Sequence, residues 1–260
     1  MKKLFVLVTL IVCGLAIVLG NLHWNQKISA QGENTTDVKE VKPVKVDGKT
    51  EKAPIDVSKL SSNLPKDVQD KIKAAQENKQ PLNFVIYGPS ELENTWSELF
   101  SNEIKNAYGE GLFNITIMTS SDMTTRELVT SKEYQQINDL KPDILLFEAP
   151  MLSDNGDVGF GVDESLDNIQ IMTDSWRESN KELSIMVQPS QPLYGATFYP
   201  SEVSQLKDYM EKNEYTYLNH WENWPDLNDD GMLEYLDDNK VNEDGYKLWA
   251  EYLVEYFVAE

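Results

Sequence analysis

Cysteine is nearly absent: Cys13 is the only one in 260 residues, and it lies inside an apolar N-terminal run. An intrachain disulfide is therefore excluded, and no thiol chemistry is suggested. Histidine is scarce too, with only His23 and His220, and no cluster of zinc ligands is evident. No internal repeat is present. Gly156 to Gly161 is glycine-rich but lacks the lysine of a phosphate cradle, so a nucleotide-binding loop is not indicated. Positive charge is lacking where most of the chain lies. Residues 1–80 hold 13 Lys and Arg against 9 Asp and Glu, a net +4, whereas residues 81–260 hold 10 against 35, a net −25. A surface that acidic repels phosphate backbones, which argues against nucleic acid and against an anionic polymer held by charge alone.

Long apolar runs are few, and the one at the start decides the compartment. Lys2 and Lys3 precede Leu4 to Gly20, a pattern that fits a signal anchor with its N-terminus inside the cell. Ile28-Ser29-Ala30 is a poor cleavage site because Ile replaces the small residue. Residues 1–24 are therefore expected to be a transmembrane anchor, with the rest outside the cytoplasm at the cell membrane, or secreted if cleavage occurs. Residues 25–80 are polar and poor in aromatics, and they read as an extracytoplasmic linker with a short helix from Lys66 to Glu77.

What remains, residues 81–260, reads as one globular domain, and 40% hydrophobic content suffices for its core. The stretch around which it is organised is Asn83 to Ser90, N-F-V-I-Y-G-P-S. Phe84 to Tyr87 forms a run too short for a helix and reads as a buried parallel strand. Gly88 and Pro89 end it and set Ser90 at its carboxyl end, where open α/β sheets place ligands. From Glu91 a helix is expected, with Leu92, Trp96, Leu99, Phe100 and Ile104 on one face. Further strands are expected at Phe113 to Met118, Asp143 to Phe147, Leu183 to Val187 and Tyr215 to Leu218. Helices alternate with them at Met123 to Ile137, Glu164 to Asn180, from Ser201, and from Asn242 to Val258. Such alternation implies an α/β domain of three layers, with a five-stranded parallel sheet covered on both faces.

Three blocks of this domain resemble the SGNH or GDSL hydrolase family. They are Tyr87-Gly88-Pro89-Ser90 at the place of the Gly-Asp-Ser block, Lys141-Pro142-Asp143 before the third strand, and Asn242-Glu243-Asp244-Gly245-Tyr246 opening the last helix. The resemblance implies a flavodoxin-like α/β/α fold and a serine esterase or deacetylase. It also implies Ser90 as nucleophile, served by a histidine and an aspartate just before the final helix. A serine hydroxyl is a weak nucleophile until a base takes its proton, and the acid orients that base.

The chain departs from that pattern. Asp237 takes the aspartate position, but Lys240 stands where histidine is expected. Three readings stay open: Lys240 is a surface lysine of a domain without activity, it is itself the base, or His220, after the fifth strand, replaces it. The oxyanion-binding blocks would fall at Asp122, without the usual glycine, and at Ser153 and Asn155. No cofactor is indicated. Asp226, Asn228 and Asp230 have the spacing that opens a calcium loop, but with Asp where such a loop ends on Glu and no helix before it, the stretch is read as a solvated acidic loop and no metal is expected. The expected function is hydrolysis of an acyl ester, on a cell-wall or capsular glycan or a small ester. The alternative is a degenerate domain that binds glycan or a protein partner at the cell surface.

Overall fold

The computed structural model describes residues 55–88, 93–157 and 159–260. The anchor expected at 1–24, most of the linker and Ser90 lie outside them. Among the described residues no helix is long and apolar enough to cross a membrane.

Five parallel strands form the main sheet: β1 (Leu82–Tyr87), β2 (Phe113–Met118), β3 (Ile144–Ala149), β4 (Ser184–Pro189) and β5 (Thr216–Tyr217), in the order β2-β1-β3-β4-β5. The order reverses between β1 and β3, so the switch point falls at their carboxyl ends. Strand alternation sends successive side chains to opposite faces. Phe84, Ile86, Ile144, Leu146 and Met186 pack on one face, beneath α2 (Lys66–Asn78), α3 (Trp96–Tyr108) and α9 (Glu243–Phe257). Val85, Tyr87, Leu145, Phe147 and Val187 pack on the other, beneath α4 (Thr125–Ser131), α5 (Gln136–Asp139), α7 (Val162–Ser179) and α8 (Tyr199–Lys212). The three-layer architecture expected from sequence is thus the observed one.

Several elements differ from expectation. The domain does not begin at Pro81: α1 (Val57–Leu60) and α2 bury Val57, Leu64, Val68 and Ile72 in the same core as the sheet. Polar composition hid this, because a single apolar stripe at helical spacing is enough to bury a helix. Lys71 ties α2 to the amino end of the sheet by donating to Asp143 O, Glu182 O and Ser184 Oγ. Burial pushes its ammonium below the usual lysine value, against the pull of Asp67, Asp143 and Glu182. The helix expected over Met123 to Ile137 is broken at Lys132, whose φ of +63° ends α4. The start of α4 is set by a capping box in which Thr124 and Glu127 exchange hydrogen bonds. A short helix, α6 (Met151–Asn155), fills the start of the loop after β3.

A hairpin not expected from sequence, β6 (Leu236–Asp237) and β7 (Lys240–Val241), precedes α9. Its two-residue turn, Asp238-Asn239, has positive φ at both positions, as a tight hairpin with native twist requires. Asn242 then caps α9, accepting from Asp244 N and Gly245 N at 3.0 Å each. Gly245 packs so closely on the hairpin that a Cβ there would stand 2.5 Å from Tyr235 O.

Candidate active site

The switch point is built from backbone first. Gly88 leaves β1 with φ +121°, and a Cβ at this position would lie 2.3 Å from Glu148 O. Glycine alone therefore lets the turn after β1 rest on the end of β3. Ser120, after β2, donates its hydroxyl to Gly88 O at 2.7 Å and holds the turn from the other side. Position 90 lies two residues beyond this fixed point, although Ser90 itself is outside the described residues.

Glu148 is the ionisable side chain at this point. It follows Ile144 and Leu146 on the face covered by α3 and α9, and Trp96, in the first turn of α3, donates its indole N–H to Glu148 Oε2 at 3.3 Å. Burial raises the carboxyl to about 7, opposed by donation from Ser190 and Trp96 and reinforced by the charge of Asp122. Its register partner on β4 is Gln188, which is fully buried. Trp249 donates to Gln188 Oε1 at 3.0 Å. An indole N–H only donates, so the amide orientation is fixed and Nε2 faces away. That Nε2 has no hydrogen-bond partner among the described residues, nor has the buried hydroxyl of Tyr199.

Sequence reasoning missed both residues. The signal was present in β3 and β4 themselves: a glutamate and a glutamine in I-L-L-F-E-A and S-I-M-V-Q-P, otherwise apolar strands with only Ser184 as a further polar residue. A buried polar side chain costs free energy unless it is partnered, which marks such positions as used.

His220 does not fill the role of base. Its ring is inaccessible and stacks on Trp249 with centroids 3.9 Å apart and planes within 6°. Trp224 donates to its Nδ1 at 3.3 Å, which leaves Nε2 carrying the proton, 3.1 Å from Pro189 O. Both nitrogens are thus engaged, and burial lowers its pKa to about 3, against the raising effect of the Pro189 and Ser190 backbone. Trp249 also stacks on Trp96 at 5.0 Å, so His220 belongs to an aromatic core.

Asp237 and Lys240 do come together, as register partners across the hairpin, but both are exposed. The hairpin turn is tied to the carboxyl end of β4 by Gln191, which donates to Asn239 O at 2.9 Å. The residues expected at the oxyanion lie on α6 and in the loop after β2. Asn155 is exposed and donates to Glu202 Oε2 at 2.8 Å, because α6 turns it toward α8. Ser153 is half-buried on α6. Between them, Asp154 is buried and accepts from Thr125 N at 2.7 Å and Thr125 Oγ1 at 2.8 Å, which anchors the start of α4. Asp122 is exposed with φ +57°, and its part at the switch point is its charge near Glu148.

The acidic loop after β5 is held by its own hydrogen bonds. Among the described residues no group of three or more His, Cys, Asp or Glu is arranged to hold a metal. Asp230 instead accepts from Tyr194 OH at 2.7 Å, and Asp229 accepts from Gly231 N at 2.8 Å. The loop folds into a 3-10 turn, Asp230–Glu234, that buries Met232 and spreads the carboxylates outward.

Sheet order and cover on both faces define an α/β fold of the SGNH or GDSL hydrolase type. Solved structures similar to it include a GDSL-like lipase from Bacteroides thetaiotaomicron, 12% identical, covering 72% of this chain and 96% of that one with a TM-score of 0.51. A carbohydrate esterase family 3 protein from Talaromyces cellulolyticus is 14% identical over 66% of this chain and 94% of that one, with a TM-score of 0.56. A lipase from a goat rumen metagenome is 12% identical over 69% and 99%, with a TM-score of 0.51. No family model and no curated protein matches the sequence.

Proposed function

We propose that this chain is an ester hydrolase of the extracytoplasmic surface that removes an acyl group from a glycan, with the Ser90 hydroxyl as nucleophile. The observation that carries the reading is the turn at the β1/β3 switch point, where Gly88 is pinned between Ser120 and Glu148 and the chain runs on to Ser90. A serine so placed leaves the sheet where α/β folds bind ligands. Likeness in fold to a lipase and a carbohydrate esterase supports ester chemistry and a sugar-borne acyl group. Lys2, Lys3 and the apolar run Leu4 to Gly20 support placement outside the cytoplasm, tethered to the membrane.

The test is hydrolysis of a small acetyl ester and of an acetylated glycan by the full chain, beside Ser90→Ala. The parent is expected to exceed the variant by at least about a thousandfold. Equal rates would remove the nucleophile assignment.

A second reading is a domain that binds the glycan without cleaving it. It is favoured by the sequestration of His220 and the exposure of Lys240, which leave the site without a conventional base. Glycan binding unaffected by Ser90→Ala, with no turnover by the parent, would decide for it.

A further inference from the structure

A concave feature lies away from the switch point, at the far edge of the sheet. α8 follows β4 and so begins at the carboxyl end of the sheet, and a 3-10 turn, His220–Asn223, follows β5 there. Between them runs a groove of about 280 Å³. Its lining divides by chemistry. Trp221 and Tyr217 give it aromatic surface, Ser204 and Lys207, three positions apart on α8, give one polar wall, and Asn219 and Glu222 give the other. Trp221 is half-buried and firmly held: its indole N–H donates to Ser190 O at 2.9 Å, and Tyr199 packs on it with ring centroids 5.5 Å apart. Asn219 Nδ2 donates to Glu222 Oε1 at 3.0 Å, which leaves Asn219 Oδ1 and Glu222 Oε2 without a hydrogen bond among the described residues. The Tyr217 hydroxyl is enclosed and likewise has no partner among them. A buried hydroxyl left so is a cost that a ligand or a water removes.

We propose that this groove is a sugar-binding subsite, in which one ring of a neutral glycan rests on Trp221 while its hydroxyls bond to Asn219, Glu222 and Ser204. An aromatic surface with hydrogen-bonding groups at its edges suits a ring whose faces are C–H and whose rim is hydroxyl. Charge narrows the choice. The lining offers one lysine against one glutamate, Lys207 is already paired with Glu211 at 3.9 Å, and residues 81–260 carry a net −25, so an anionic ligand is repelled. Position sets the length. The order β1-β3-β4-β5 puts β5 three strand spacings, roughly 14 Å, from β1. A single acylated sugar at the switch point does not reach the groove, whereas a chain of several sugars laid across the carboxyl ends of β3 and β4 does. The groove thereby selects an oligosaccharide or polymer over a small ester. This deepens the glycan reading above and rests on it, but it uses no part of the segment after Gly88.

The experiment titrates the full chain carrying Ser90→Ala with O-acetylated tetrasaccharides of xylose, of glucose and of N-acetylglucosamine, and with the matching single sugars, by calorimetry and tryptophan fluorescence. At least one tetrasaccharide is expected to bind about tenfold or more tightly than its single sugar, and adding Trp221→Ala or Ser204→Tyr to weaken it by at least about tenfold. Ser204 is exposed on α8, so Ser204→Tyr fills the groove without entering the core, and its result stands even if Trp221→Ala fails to fold. If no tetrasaccharide binds, if tetrasaccharide and single sugar bind equally, or if Ser204→Tyr leaves binding unchanged, the subsite is overturned. Hydrolysis of the same tetrasaccharides by the chain with Ser90 intact separates this inference from the one beneath it. Cleavage with a KM that Ser204→Tyr does not alter overturns the subsite and keeps the hydrolase, whereas groove-dependent binding without cleavage keeps the subsite and overturns the hydrolase.

Discussion

His220 and Glu148 carry opposite pH dependences within one domain. The pKa of His220 is lowered to about 3 in the folded chain, so as pH falls below about 6.5 the unfolded chain binds the proton first. The stability this ring contributes is complete above that value and is lost progressively toward pH 3. Glu148 is raised to about 7 from an ordinary 4.5, so the folded chain holds a proton that the unfolded chain has released. Its contribution is complete below 4.5 and is lost as pH rises to 7. The two slopes oppose each other between 4.5 and 6.5. Glu148→Gln is therefore expected to gain stability relative to the parent as pH rises from 4.5 to 7, read as urea midpoints. An offset that stays constant over that range would show that Glu148 does not titrate there. At this scale the sequence displayed the residue types but not their environments: the only domain histidine was visible, but its burial against Trp249 depends on where α9 crosses the sheet.

The hairpin and the start of α9 show what local sequence encodes at the scale of elements. Asn242 was legible as a cap because its side chain answers backbone donors two and three residues away. The hairpin was not, since its strands are only two residues each and carry no periodicity. Gly245 joins the two elements, and Gly245→Ala would press a methyl group against Tyr235 O and Val241 Cγ1. A loss of about 2 kcal/mol or more is expected by urea denaturation, because the near atom is rigid backbone. A variant as stable as the parent would mean that the hairpin can move away from α9. The break at Lys132 teaches the same lesson from the other side: Met123 to Ile137 is helical in pattern, but the left-handed Lys132 ends α4 and the chain goes on through a 3-10 turn, Glu133–Gln135, into α5.

For the whole molecule, the decisive contacts are those between the first helices and the sheet. Val57, Leu64, Val68 and Ile72 are almost wholly buried, and each contributes about 1.5–3 kcal/mol against a total stability of about 5–15 kcal/mol for a domain. A chain begun at Pro81 is accordingly expected to lose its cooperative unfolding transition, while one begun at Ala53 keeps it, as measured by circular dichroism and limited proteolysis. Equal stability of the two would return residues 55–80 to the role of a linker. By itself the sequence determined that strands and helices alternate, which strands are buried, and that Ser90 follows β1, because periodicity and turn residues act within a few positions of one another. Only the tertiary structure decided that β1 lies beside β3, that Glu148 meets Gly88 there, that His220 is walled in, and that the domain begins before residue 60. Those outcomes depend on contacts between segments tens of residues apart, whose pairing is settled by the packing of the whole core.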